Sequence, residues 1–280
     1  MFLLQLRNEL RKLFGKKRTY LGFGMFLLAQ SAFILVLKYG RGPNQSMMRM
    51  MQGNGYAAAH FFSNLTVATT TLLATAYVLL PLYVSLVGGD LVAKEAEDGT
   101  LRMILSRPIS RLRILLIKWL AGVVFSLILI LAFAVFGACF SRLFFPEGGL
   151  FVSIPWDGVF GVFEGVEGWQ RYAAAHLVLT LKACTIMSLA FMFSCFDIKP
   201  AAATIVAISL VFISKIMQDT PYFHDMQGWF FTYHMNVWVY FFAAPIPWWK
   251  VGESLSILAG FNLTFFLIGS TAFQIRDFKS

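Results

Sequence analysis

Long apolar runs, separated by short charged segments, dominate the pattern of this 280-residue chain. A helix needs about 20 apolar residues to cross the hydrocarbon core of a bilayer. Six runs come close to this length and predict six membrane-spanning helices. They cover residues 20–37, 60–89, 119–141 (with a start one or two turns earlier), 172–196, 200–214 and beyond, and 254–275. Pro200 at the start of the fifth run suits the first turn of a helix.

The first 17 residues predict a helix of another kind. Leucines recur there every three or four residues with basic side chains between them, which is typical of an amphipathic helix in the membrane interface. A cleavable signal would instead have one basic region followed by one apolar run and a cleavage site. The residues concerned are Leu3, Leu6, Leu10 and Leu13 with Arg7, Arg11 and Lys12.

The composition agrees with an integral membrane protein. Charged residues make up 13% of the chain, about half of the roughly 25% found in soluble domains. The net charge of +9 therefore indicates loop charges that set orientation and meet anionic lipid, not a nucleic-acid site. The three cysteines lie in or beside apolar runs without metal-binding spacing, so we expect neither a disulfide framework nor a metal site.

The basic residues also predict how the spans are oriented. Fifteen of them fall on the side of both termini and seven on the opposite side, while Lys182 lies inside a span. The positive-inside rule therefore places both termini in the cytoplasm. Residues 226–249 lack formal charge but contain prolines and many aromatic residues. We interpret them as an interfacial or re-entrant outer element before the sixth span, with a seventh span as the alternative.

Together these elements predict one all-α transmembrane domain over residues 1–280. The interface helix covers 1–17 and spans one and two cover 18–89. A cytoplasmic loop covers 90–118, and spans three to six, with the outer aromatic elements, cover 112–280.

The cytoplasmic loop contains the sequence EAEDGTLRMILSRPIS, residues 95–110. Asp98-Gly99 is a turn signal, and Thr100 is a candidate cap for a short helix after it. Leu101 and Leu105 would share one face of that helix. The sequence therefore predicts a short helix that begins near residue 100.

The same loop contains signals for the end of this helix. It should stop at Arg107-Pro108, because a residue before proline avoids the α region. Ser110 is a candidate cap of the next helix, which leads into span three. Asp98 and Arg102 are spaced for an exposed ion pair, but such a pair contributes only a few tenths of a kcal/mol. Docking onto another protein or onto lipid phosphates explains the charge of the loop better.

This loop resembles the signature loop of type-2 ABC transporter permeases. In that family an acidic segment precedes Gly-Thr-Leu, an apolar pair, Ser-Arg-Pro, Ser-Arg and a lysine at the start of span three. The resemblance is strongest over residues 88–120 and extends as a general pattern over the whole chain. The matching residues are Glu95, Glu97, Gly99, Thr100, Leu101, Ser106, Arg107, Pro108, Ser110, Arg111 and Lys118.

The resemblance implies a non-catalytic permease subunit of an ABC exporter in a bacterial or archaeal cytoplasmic membrane. It implies a homodimer or heterodimer of permeases with two copies of a separate ATP-binding subunit, which would hold ATP and Mg²⁺, so no cofactor is expected here. GKKRTY does not match the phosphate-loop pattern of an ATPase. The implied docking residues are Glu95, Glu97, Asp98, Gly99, Thr100, Leu101, Arg102, Leu105, Ser106, Arg107, Pro108 and Arg111.

Other residues suggest further sites. Lys182 near the middle of span four is a candidate for the substrate pathway, with snorkelling to the interface as the alternative. His224 and His234 could hold a metal with Asp219 or Asp225, which would suit a membrane-embedded enzyme or a redox subunit. A transporter driven by an ion gradient is the third alternative, but it would be expected to have acids inside broken spans. The outer segment 144–169 is a candidate gate or lid.

Overall fold

The computed structural model describes residues 2–40, 45, 48–49, 51–53, 55, 58–106 and 108–276. Within these ranges, six helices are long and apolar enough to cross a membrane, which confirms the predicted all-α membrane architecture. The helices in chain order are α1 (Phe2–Gly15), α2 (Lys17–Tyr39), α3 (Ala58–Phe61), α4 (Asn64–Glu97), α5 (Thr100–Leu105), α6 (Arg111–Arg142), α7 (Gly165–Ser194), α8 (Pro200–Asp219), α9 (Phe231–His234) and α10 (Trp248–Ile275). The six spanning helices are α2, α4, α6, α7, α8 and α10.

The spanning helices extend past the predicted apolar runs at their polar ends. The apolar run of span two ends at Gly89, yet α4 continues to Glu97, and α8 continues to Asp219. α6 begins at Arg111, eight residues before Trp119, in agreement with the earlier start that we expected. Hydropathy marks only the part of a helix that suits hydrocarbon, whereas backbone hydrogen bonds continue the helix beyond it.

The centre of the bundle is formed by α4 and α7, which are the most buried of the six spans. A Cβ atom added at Gly88 of α4 would lie 2.4 Å from the carbonyl oxygen of Met187 in α7, so glycine allows the two backbones to approach. Gly89 on the next position faces Thr204 near the start of α8. α8 therefore runs antiparallel to α4, and its far end reaches the level of Tyr77.

The amphipathic helix α1 packs against this bundle. Leu13 is buried, Leu6 and Leu10 are partly buried against the core, and Leu3 is exposed. α1 contacts α2 and α6. Most of the leucine face of α1 therefore covers protein, and the position of this helix in a membrane interface stays a prediction.

A β-hairpin is the main difference from the predicted all-α fold. β1 (Leu150–Ile154) pairs antiparallel with β2 (Val159–Phe163), with Leu150 opposite Phe163. The connection is the 3-10 helix Pro155–Asp157 followed by Gly158, whose φ of +64° suits glycine. The two strands carry apolar residues on both faces, so the alternation that signals a strand is absent from the sequence.

The aromatic segment before α10 folds into short pieces. It consists of a 3-10 helix Pro221–Trp229, α9, and a second 3-10 helix Val237–Phe242, and Trp238 is completely buried. None of these pieces is long enough to cross a membrane. This agrees with six spans, while an interfacial or re-entrant position of the segment remains a prediction.

Candidate functional site

The short helix α5 lies between the end of α4 and the start of α6. Gly99 precedes α5 in the left-handed region, with φ +70°. We expected Thr100 to cap the helix, but Thr100 is its first residue, and its hydroxyl donates to the carbonyl oxygen of Glu95 at 3.3 Å. The turn between α4 and α5 therefore depends on Gly99, and the hydrogen bond of Thr100 connects α5 to the end of α4.

The two faces of α5 differ in burial. Leu101 is 1% exposed and Leu105 packs against the bundle core. Met103 points the other way and is 66% exposed. One face thus anchors α5 to the spans, and the opposite face offers a methionine, a side chain that adapts to the shape of a partner.

The segment after α5 has the predicted end signals. Ser110 lies before α6, and its hydroxyl accepts a hydrogen bond from the backbone N–H of Arg113 at 3.4 Å, which confirms the predicted cap. Pro108 is exposed, and Arg107 lies outside the described residues. The Arg111 guanidinium donates to the carbonyl oxygens of Gln274 at 3.0 Å and Arg276 at 3.2 Å. The start of α6 is therefore tied to the end of α10.

A charge network lies behind α5 and joins three helices. The ammonium of Lys118 in α6 lies 2.7 Å from Glu9 of α1 and 2.8 Å from Glu95 of α4. The ammonium of Lys12 lies 3.0 Å from Glu9 and 2.9 Å from Glu95. Lys118 is only 2% exposed, so its charge depends on the two carboxylates for compensation.

The charges of this network shift the pKa values of Glu9 and Lys12. Burial acts to raise the pKa of Glu9, but the charges and hydrogen bonds of Lys118 and Lys12 outweigh it, so the pKa lies below the usual carboxyl value. Burial acts to lower the pKa of Lys12, but Glu9 and Glu95 outweigh it, so that pKa is raised. Both shifts favour the charged forms of Glu9 and Lys12.

The implied docking residues fall into two groups in the structure. Glu95, Leu101 and Arg111 make contacts inside the chain. The ammonium of Lys94 forms ion pairs with Glu97 at 2.7 Å and with Asp98 at 3.0 Å. Those with exposed or half-exposed side chains form a surface around Met103. They are Glu97, Asp98, Thr100, Arg102, Ser106 and Pro108, whereas Leu105 packs against the bundle core.

Sequence reasoning missed Glu9 and Lys12 as members of this site. One signal was present, since Glu9 is the single acidic residue among the first 20 positions. A lone acid in a strongly basic amphipathic helix has several lysines nearby, and the sequence does not say that its partner is Lys118 in the third span.

A second candidate site surrounds Lys182, which lies near the middle of α7. Lys182 is 5% exposed, and its ammonium lies 4.5 Å from the centroid of the Tyr77 ring. The Tyr77 hydroxyl donates to a carboxylate oxygen of Asp157 at 3.2 Å, and the Asn236 amide lies 3.5 Å from the other oxygen. These four residues come from α4, α7, the hairpin turn and the aromatic segment.

A cavity of about 580 Å³ opens beside these residues. A smaller one of about 40 Å³ adjoins it, shares Tyr77 and Lys215 with it, and reaches Lys182. Burial raises the pKa of Asp157 above the usual carboxyl value, although Tyr77, Lys215 and Asn236 act in the opposite direction. The large cavity is lined by Tyr77, Trp156, Asp157, Lys215, Gln218, Asp219, Gln227, Tyr233, Tyr240 and Lys250.

The two histidines considered for a metal site have other neighbours. The ring nitrogens of His234 lie 3.0 Å from the Ser254 hydroxyl and 2.9 Å from the Gly228 carbonyl oxygen. His224 is exposed and lies 3.8 Å from Asp225. Among the residues that the structure describes, no three His, Cys, Asp or Glu side chains form a metal-binding group. The internal bonds of His234 therefore favour a structural role for that residue.

Comparison with known proteins supports the resemblance. A protein of Bacillus subtilis (strain 168), described as "Uncharacterized protein YhcI", is 25% identical over 122 residues, or 42% of this chain. The similar region spans only 38% of that protein's length. The sequence model of the family described as "ABC-2 family transporter protein" matches residues 6–224. Since this match covers well over half of the chain, and the described residues include six helices long enough to cross a membrane, the chain belongs to the ABC-2 family of transporter proteins.

Proposed function

We propose that this chain is the transmembrane permease subunit of an ATP-binding-cassette exporter, and that a separate ATPase docks on the surface around Met103. The observation that carries the proposal is the two-faced helix α5. Leu101 anchors it to the spans, while Met103 on the opposite face is exposed. An exposed apolar anchor surrounded by charged side chains is typical of a protein interface.

The ion pairs behind α5 support a mechanism by which a movement of α5 would be transmitted to the spanning helices. Glu95 lies one turn before Gly99 and is bound by Lys12 and Lys118. A displacement of α5 would therefore move α1 and α6 together with α4. In this proposal the network transmits the closure of the ATPase subunits to the spans as a rigid-body movement.

The remaining parts of the proposal follow the family resemblance. Two permease copies, identical or related, would bind two ATPase copies, which hold ATP and Mg²⁺. Both termini and α5 would face the cytoplasm of a bacterial or archaeal cell, as the distribution of basic residues favours. Lys182 and its cavity would then lie near the outer side and belong to the substrate pathway.

Copurification tests the docking surface. The chain is coexpressed with an ABC-type ATPase encoded beside its gene, and bound ATPase and ATP hydrolysis are measured in lipid. Met103→Glu should weaken ATPase binding at least tenfold, about 1.4 kcal/mol, because it places a charge in an apolar contact. Met226→Glu is the matched control, since Met226 is 48% exposed and lies in the aromatic segment far from α5.

Two results would contradict the proposal. One is that the unmodified chain retains no ATPase. The other is that Met103→Glu binds the ATPase as well as Met226→Glu does.

A further inference from the structure

Lys182 is a buried lysine whose ammonium makes no direct ion pair among the described residues. Its ammonium contacts the face of the Tyr77 ring, and no carboxylate oxygen of the described chain lies within ion-pair distance. The nearby Asp157 carboxylate is occupied by Tyr77 and Asn236. A cation–π contact compensates only a small part of the cost of burying a charge. Within the described part of the chain, the Lys182 ammonium therefore has no carboxylate in direct contact.

The walls of the two cavities also contain more basic than acidic side chains. Lys182, Lys215 and Lys250 line them, against Asp157 and Asp219. Lys215 is paired with Asp219 at 2.8 Å. The walls thus carry one more positive than negative charge, and the unpaired charge closest to the centre of the bundle is Lys182.

The walls next to Lys182 are apolar and partly face the outside of the bundle. The small cavity is lined by Pro81, Val211, Phe212 and Met235 in addition to its polar residues. Phe212 is 40% exposed, and its neighbour Ile213 is 52% exposed. Since α8 is a spanning helix, this exposed apolar surface would face lipid. A ligand whose head group lies at Lys182 could therefore extend an apolar chain along α8.

We propose that the two cavities bind an amphiphile with an anionic phosphate or carboxylate head group, and that Lys182 supplies the counter-charge. Lys215 at the shared wall guides the head group, and the hydroxyl groups of Tyr77 and Thr232 are within the same walls to accept or donate hydrogen bonds. The inference deepens the proposed transport function, because the site would select the cargo. Binding itself requires only this chain and no ATPase.

Lipid binding to the purified chain tests the proposal. The chain is reconstituted in phosphatidylcholine nanodiscs, and binding of a fluorescent phosphatidylglycerol is measured by titration. Unlabelled phosphatidylglycerol, phosphatidylcholine and inorganic phosphate serve as competitors. We expect phosphatidylglycerol to compete at least tenfold better than either of the other two. Equal competition by phosphatidylcholine would overturn the anionic selectivity, and equal competition by inorganic phosphate would overturn the amphiphile.

Two variants and one control locate the site. Lys182→Met should weaken phosphatidylglycerol binding at least tenfold. Lys215→Met should weaken it severalfold. Lys215 is partly exposed, so its substitution leaves the core intact. Lys38→Met removes a charge at the end of α2 outside the cavities and should bind as the unmodified chain does. Unchanged binding in both cavity variants, or an equal loss in Lys38→Met, would overturn the proposal. Because no ATPase is present, these outcomes are separate from a failure of docking at Met103.

Discussion

The ammonium of Lys118 lies 2.7 Å from the carboxylate of Glu9, although 109 positions separate the two residues in the sequence. This contact joins the start of the third span to the amphipathic N-terminal helix. Glu95, four residues before Gly99, completes the pairing. The short helix α5 is thus connected at its base to three helices by ionised side chains.

Removal of the Lys118 charge should destabilise the protein strongly. Lys118→Met leaves Glu9 and Glu95 with one cation instead of two in a mostly buried position, and breaking a buried ion pair costs about 3–5 kcal/mol. We expect a lower melting temperature in detergent, measured by intrinsic fluorescence. Lys17→Met, at an exposed lysine of the same basic region, is the control and should melt with the unmodified protein.

The double variant Lys118→Met, Glu9→Gln sharpens this test. If the two residues act as a pair, its loss of stability should be smaller than the sum of the two single losses, because the second change removes a charge that is already unpaired. Additive losses would show that the two residues do not interact.

The Glu9 carboxyl should make stability depend on acid pH. Its pKa in the folded protein lies below the usual value of 4.5, so the unfolded chain takes up a proton first as the pH falls. The stabilisation is therefore complete above pH 4.5 and is lost as the pH falls through the folded pKa. The melting temperature of Glu9→Gln should lie below that of the unmodified protein at neutral pH, and the difference should shrink in acid. A constant difference would contradict the assigned shift.

Gly99 should be required for the connection between α4 and α5. At φ +70° a Cβ atom has open space around it, so a substitution meets only backbone strain, about 1–2 kcal/mol for most residues. Gly99→Ala should reduce ATP hydrolysis stimulated by the permease and should lower the melting temperature slightly. Gly99→Asn is the control, because asparagine tolerates this conformation better. Equal activity of both variants would indicate that the turn conformation is unimportant.

Gly88 should control the distance between α4 and α7. Gly88→Ala places a methyl group 2.4 Å from the Met187 carbonyl oxygen, and overpacking of this kind typically costs about 1–3 kcal/mol. We expect a clear fall in melting temperature. Gly24→Ala has no atom within 4 Å of the added methyl group and should be neutral or slightly stabilising. A fall of the same size in Gly24→Ala would contradict the close-packing explanation.

The spans were predictable because each apolar run carries its own signal. The same holds for the cap at Ser110 and for the helix start at Pro200, which lies in the first turn of α8 as expected. These features depend on a few neighbouring residues. The start of α5 shifted by one position, since Gly99 took the left-handed turn and Thr100 became the first helical residue.

The remaining features depend on residues far apart in the sequence. Nothing in the first 20 residues specifies that Glu9 meets Lys118, and nothing near Lys182 specifies that Tyr77 lies beneath its ammonium. The hairpin was missed because both faces of its strands are apolar. Apolar residues on both faces, including the exposed Phe160, remove the alternation by which a strand is recognised.

The helix α4 carries Tyr77 at the cavity and Glu95 at the base of α5, with Pro81 between them. Proline has no N–H, so the helical hydrogen bond to the carbonyl oxygen of Tyr77 is missing. From Pro81 to Glu97 the helix is about 24 Å long, and a rotation of about 10° at Pro81 would displace its end by about 4 Å. A hinge at Pro81 would lie beside the cavity wall, so a small change of shape there would correspond to a larger displacement of Glu95 and α5, the helix at which we propose that an ATPase docks.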